Sequence, residues 1–352
     1  MDLKKYPSLN GLRAISIILV LNLHLGLKNN VFDSFSEIKW LEPLLFFIQD
    51  GVLGVNVFFV ISGFLITSLL LKEESNSGTI SLSKFYIRRV LRIFPAYYFL
   101  LLVYFILQFF NIIYISPSSW LTSLTYTKYL NGRLDWYTAH SWSLSLEELF
   151  YFFWPFVFLS GVKTRKIIAF SVVFLIPVLR VFINKYTIPI EEQLHILAKI
   201  DSIALGCIFA IYKDEITKRL SKYWTLVFYS SVFVILSLRY LPILAKKIHL
   251  KFIFVPLGLS DGSLANLAIA LIMMYSVFGP KGIWFKFLNL KIMNYIGILS
   301  YSIYLWQQIF ISSMGYWVNR FPQNIICIVA MAVFSYYVIE KPFLKLKTKF
   351  GK

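Results

Sequence analysis

Arg13-Ala14-Ile15-Ser16-Ile17-Ile18-Leu19-Val20-Leu21-Asn22-Leu23-His24 is an apolar run closed at each end by an ionisable side chain. At ~1.5 Å rise per residue, its ends stand ~16 Å apart along a helix. Eleven steps at 3.6 residues per turn make almost three turns, so Arg13 and His24 project from nearly the same face. A bilayer core is ~30 Å thick, so with Arg13 at one boundary His24 hangs near the middle. An ionisable group at that depth costs at least ~2–3 kcal/mol and marks a pathway or a catalytic site.

Runs of this kind recur along all 352 residues. The hydrophobic fraction is 58% and the mean hydropathy is +0.70, and a soluble chain does not carry apolar runs of such length. Ten spans are expected, near 13–29, 52–71, 93–112, 142–160, 167–183, 195–212, 224–241, 262–279, 296–316 and 324–340. The fold class is therefore all-α, a polytopic integral membrane protein with about ten transmembrane helices. An even number places both termini on one side. The net charge of +18, from 35 basic and 17 acidic residues, sits mainly in short connections on that side. Lys4 and Lys5, Lys84 to Arg92, Lys163 to Lys166 and Lys341 to Lys352 are the densest examples. This asymmetry reports orientation with cytoplasmic termini, and it excludes nucleic acid as the partner.

Cys207 and Cys327 both fall inside apolar segments and read as small buried hydrophobes, with no disulfide framework. No small-x-small cleavage site follows the first run, which reads as an uncleaved span. Within the stretch 113–140, Trp120 to Leu130 is expected to be re-entrant or interfacial, and 242–260 is ambiguous. The chain 1–352 reads as a single membrane domain with no soluble domain appended and no metal site.

A second stretch, His140-Ser141-Trp142-Ser143-Leu144-Ser145-Leu146-Glu147-Glu148-Leu149-Phe150-Tyr151, opens an aromatic span with two carboxylates. If the span starts at the outer surface near Ser141, Glu147 lies ~9 Å deep. His24 lies ~14 Å from the same surface. Similar depths make Glu147 and His24 a candidate acid/base pair, the carboxylate fixing the imidazole tautomer; a structural ion pair between helices is the plain alternative. Glu148, ~100° around the helix, is expected to face a loop or the headgroups.

The third stretch is Lys84-Phe85-Tyr86-Ile87-Arg88-Arg89-Val90-Leu91-Arg92-Ile93-Phe94-Pro95. Arg89 and Arg92 are three apart and share a helix face. Their guanidinium forks suit a polyphosphorylated ligand, the alternative being lipid headgroup contact. Arg180 and Arg239, near span ends, read as snorkelling residues. Asp201, well inside the sixth span, and His140, at the outer mouth, are candidates to line an acceptor cavity.

Together these residues resemble the acyltransferase-3 family of integral membrane acyltransferases. Asn10-Gly11-Leu12-Arg13-Ala14 with His24 matches its arginine–histidine signature. Gly54 to Ile66, the basic motif Phe85 to Pro95 with Arg89 and Arg92, and Trp142 to Tyr151 with Glu147 match three further motifs. Asp201 with Gly206, Ser300 to Trp306, and Ile339 to Phe343 fit looser ones. The chain departs from the pattern at Gln307, where family members commonly carry a histidine.

The resemblance implies an O-acyltransferase of the bacterial inner membrane. Acyl-CoA, usually acetyl-CoA, is its cytoplasmic donor, and the acceptor is a hydroxyl of an extracytoplasmic polysaccharide or lipid-linked glycan. It implies donor phosphates on Arg13, Arg89 and Arg92. His24 would be general base or transient acyl carrier, with Glu147 orienting it or binding the sugar, and His140 and Asp201 near the acceptor. Two rivals remain open, a transporter and a non-catalytic partner in cell-surface polysaccharide export.

Overall fold

The computed structural model of the chain describes residues 6–36, 38, 41–131, 135–185, 191–247 and 254–349. Lys4, Lys5, Lys352 and part of the ambiguous stretch 242–260 lie outside the described residues. The chain is 84% helical, with no strand among the described residues. Among the described residues a helix falls within each expected stretch: α1 (Leu9–Asn29), α2 (Gly51–Ser77), α3 (Leu82–Phe109), α4 (Ser141–Leu159), α5 (Val162–Lys185), α6 (Ile200–Ile211), α7 (Trp224–Lys247), α8 (Phe254–Phe278), α9 (Lys291–Phe310) and α10 (Gln323–Phe334). A π-helical turn, Ser335–Glu340, carries α10 into α11 (Lys341–Lys349). Among the described residues, six helical stretches are by themselves long and apolar enough to cross a membrane, so the chain is a multi-pass membrane protein.

The boundaries follow local chemistry. The Asp50 carboxylate accepts the Leu53 N–H at 2.8 Å and starts α2. Gly78, at φ +74°, ends that helix in the left-handed region that glycine enters without strain. Ser81 then caps α3 three residues later, so the basic motif Lys84 to Arg92 forms the first turns of α3 instead of a connection before it. Around the bundle, Phe105, Phe109, Phe174 and Leu175 are exposed; in a membrane protein such side chains meet lipid, where an apolar surface needs no cover. The stretch 113–140 holds short helices, Pro117–Leu124 and Trp136–Ala139, and a 3-10 turn at Lys128–Leu130.

Backbone contact through small residues holds the centre together. A Cβ on Gly63 would strike the carbonyl oxygen of Ile203, and one on Gly206 would strike that of Val60. This pair lets α2 and α6 touch backbone to backbone, the close approach that small residues permit in membranes. Gly206→Ala is expected to destabilise the solubilised protein by ~1–3 kcal/mol through overpacking against backbone. Gly282→Ala, with nothing within 4 Å of the new Cβ, is expected to leave the unfolding temperature unchanged. Equal thermal unfolding curves for the two variants would overturn this account of the α2–α6 contact. Cys207 is buried beside this contact, its Sγ 3.6 Å from the Gly63 carbonyl, and both cysteines are free.

Candidate active site

Helices α1, α2, α3, α4 and α9, with the stretch from the π-turn into α11, surround a cavity of 1060 Å³. Arg13 from α1, Arg89 and Arg92 from α3, and Glu147 from α4 all line it. These four were read from three separate stretches of sequence, and the bundle brings them to one cavity. Arg13 lies within electrostatic reach of Arg92, Glu147 and Glu340. The Arg89 guanidinium stacks over the Tyr151 ring at 3.7 Å. Among the described residues, Arg13 and Arg89 make no hydrogen bond or ion pair. Nearby arginines are committed, Arg88 to Glu73 at 2.6 Å and Arg165 to Glu74 at 2.9 Å.

Glu147 is held from two sides, accepting from Ser62 Oγ at 2.8 Å and, more loosely, from Tyr151 Oη at 3.4 Å. Glu148 was expected to face away, and the structure places it in the cavity as well. The reason is helical: Ser143, Glu147 and Tyr151 form one stripe and Leu144 and Glu148 the adjacent one, so the cavity spans both. Glu340 adds a further carboxylate through the π-turn, accepting from Ser302 Oγ.

His24 does not line this cavity and does not hydrogen-bond to Glu147. Its Nδ1 lies 3.0 Å from Gln307 Oε1, and its Nε2 lies 3.5 Å from Gln308 Nε2. The ring meets Trp136 edge to face at 5.6 Å. The two places are linked through α9. Tyr304, one turn before Gln307, lines the cavity, donates to the His140 carbonyl at 2.8 Å and lies 2.6 Å from Ser143 Oγ. Glu147 and His24 were expected at similar depths, counted from opposite surfaces; the structure instead puts Glu147 beside Ser62 in the cavity with Arg13, ~16 Å along α1 from His24.

The two acceptor candidates land elsewhere. Asp201 is fully buried in an inter-helix network away from the cavity. It receives Arg180 Nη2 at 2.6 Å, Ser263 Oγ at 2.8 Å and Asn266 Nδ2 at 3.2 Å. Arg180 is thus paired inside the bundle and does not snorkel, and Arg239 likewise pairs with Asp50 at 2.6 Å. His140 is buried against Tyr304, ring centroids 5.4 Å apart, and among the described residues neither ring nitrogen meets a hydrogen-bond partner in good geometry. Close by, Lys128 is fully buried and tied to Asp135 at 3.1 Å and Thr138 Oγ1 at 2.6 Å. Among the described residues, no group of three His, Cys, Asp or Glu could hold a metal ion.

Sequence reasoning did not single out Ser62, Tyr304, Glu340 or Gln308, although the first three sit inside motifs already quoted. A polar side chain within a motif of an apolar span was the signal.

Residues 6–340 match the family described as "Acyltransferase domain". Two proteins of Staphylococcus aureus, the O-acetyltransferase OatA of strain NCTC 8325 / PS 47 and that of strain COL, are each 28% identical to the chain over 380 aligned residues. The alignments cover 96% of this chain and 57% of each relative, so the chain spans little more than half the length of the curated relatives it matches. No solved structure matches it.

Proposed function

The chain belongs to the acyltransferase-domain family, and on that footing we propose that it is a membrane O-acetyltransferase. It moves an acetyl group from acetyl-CoA on the cytoplasmic side to a hydroxyl of an extracytoplasmic polysaccharide or glycolipid. The observation that carries this reading is the state of Arg13 and Arg89. They are two guanidinium groups facing a large cavity without ion partners, which is an arrangement suited to an anionic ligand. The donor's phosphates lie on Arg13, Arg89 and Arg92, and its acyl arm runs along α1 towards His24, ~16 Å further on. The acceptor hydroxyl gives its proton to His24 Nε2 as its oxygen bonds to the acyl carbon. The C–S bond breaks, and the departing thiolate takes up the proton. Such base assistance is worth ~10²–10⁴-fold. Glu147, held by Ser62 and Tyr151, acts with the arginines at the donor end.

Membranes given labelled acetyl-CoA test the reading through label recovered in the cell's glycan. The double substitution Arg89→Ala with Arg92→Ala is expected to raise KM for acetyl-CoA at least about tenfold, since a hydrogen bond to a charged group contributes ~1.5–3 kcal/mol. An unchanged KM would remove the arginine cavity from donor binding. Donor flux without acetylated glycan would point to a transporter, and label from succinyl-CoA alone would change the acyl group and keep the enzyme.

A further inference from the structure

Gln307 and Gln308 are both buried, at 0% and 2% exposure, and both face His24. Their amides are not interchangeable in orientation. Gln307 Nε2 donates to the Tyr304 carbonyl at 3.3 Å, and a carbonyl oxygen only accepts. The atom that Gln307 turns to His24 is therefore Oε1, 3.0 Å from Nδ1, and an amide oxygen also only accepts. Nδ1 must then carry the ring proton, which leaves the lone pair on Nε2. Gln308 agrees from the other side, its Nε2 lying 3.5 Å from His24 Nε2 as a long donor. Among the described residues, the Oε1 of Gln308 is buried without a partner. A half-turn of that amide would present Oε1 to a protonated Nε2 and accept from it. Trp136 completes the enclosure, edge to face with the imidazole and donating through Nε1 to the Gln308 carbonyl at 3.0 Å.

We infer that Gln307 and Gln308 are a pair of positioning residues, an uncharged amide clamp that fixes the His24 tautomer with its proton on Nδ1 and offers an acceptor once Nε2 is protonated. The function of this clamp rests on the proposed role of His24 as base; its geometry does not. A histidine base needs a group on its second nitrogen to hold the tautomer, a task usually given to a carboxylate or a backbone carbonyl. Here two side-chain amides take it, and no charge is added near the middle of the membrane. The clamp also gives Gln307 a function without asking it to titrate, which an amide does not do.

Nitrogen-15 spectra of the full chain in lipid nanodiscs, labelled at histidine side chains, report the tautomer without turnover. The chain has four histidines, and the signal lost in His24→Ala is that of His24. The expected signal is the Nδ1–H form in the intact protein. In Gln307→Leu the two tautomers should mix, and kcat for acetyl transfer should fall ~10²-fold or more, with KM for acetyl-CoA unchanged. Gln307→Glu, the same size and still an acceptor at Nδ1, should keep the Nδ1–H signal, and it decides the matter if the leucine variant does not accumulate. A His24 signal of the Nε2–H form in the intact protein, or in Gln307→Glu, would overturn the clamp whatever the activity. An unchanged tautomer and kcat in Gln307→Leu would do the same. Undiminished transfer in His24→Ala, beside an intact Nδ1–H signal, would remove the base while leaving the geometry, and the pair would lose its positioning role.

Discussion

His24→Ala is expected to lower acetyl transfer to glycan ~10²–10⁴-fold at saturating acetyl-CoA, the range that base assistance supplies. The substitution removes contacts to two amides and one ring edge and leaves the arginine cavity untouched. Binding of CoA to membranes holding the variant should therefore match that of the intact protein. The arginine substitutions should give the opposite pattern, a raised KM with the chemical step intact. That division follows from the ~16 Å along α1 between Arg13 and His24, one at the cavity and the other beyond it. Label appearing in glycan at an undiminished rate would take His24 out of the chemistry. Loss of CoA binding along with transfer would mean that the two places are not separate.

Much of this arrangement was legible in the sequence because the bilayer constrains it. Apolar runs of span length must be helical in lipid, so a helix could be read from hydropathy at each long apolar run before any contact was known. Arg13, Arg89 and Arg92 were legible because charge next to an apolar span needs a reason. The pairing of side chains was not legible. Rise per residue set Glu147 and His24 at similar depths, yet Glu147 shares the cavity with Arg13, ~16 Å along α1 from His24. Which helix stands next to which is set by contacts such as Gly63 on Ile203 and Gly206 on Val60, between residues more than a hundred positions apart. These contacts leave Glu147 facing Ser62 and the arginines, and they leave His24 facing α9. The same limit hid the partner of Asp201, since Arg180 lies on another helix and the spacing of the two in sequence carries no sign of their contact.

Asp201→Ala is expected to be the most damaging single change to stability outside the site, at ~3–5 kcal/mol. The carboxylate is the common acceptor for Arg180, Ser263 and Asn266. Its removal leaves Arg180 Nη2 with only the Ala198 carbonyl, 2.5 Å away, and Nη1 with the Ser263 hydroxyl. A guanidinium left unpaired among helices is far more costly than the pair was valuable, because desolvation of the charge remains while its compensation is gone. Asp201→Asn should lose less, since an amide oxygen still accepts from Arg180. The double change Arg180→Met with Asp201→Leu should recover part of the loss by removing both charges, while Ser263 and Asn266 stay short of an acceptor. Thermal unfolding of the solubilised protein measures all three. A line of evidence from activity separates this account from a substrate-binding one. If Asp201 held the acceptor, Asp201→Asn would raise KM for glycan at an unchanged unfolding temperature. The network predicts the reverse, a lowered unfolding temperature and, in the molecules that stay folded, an unchanged KM.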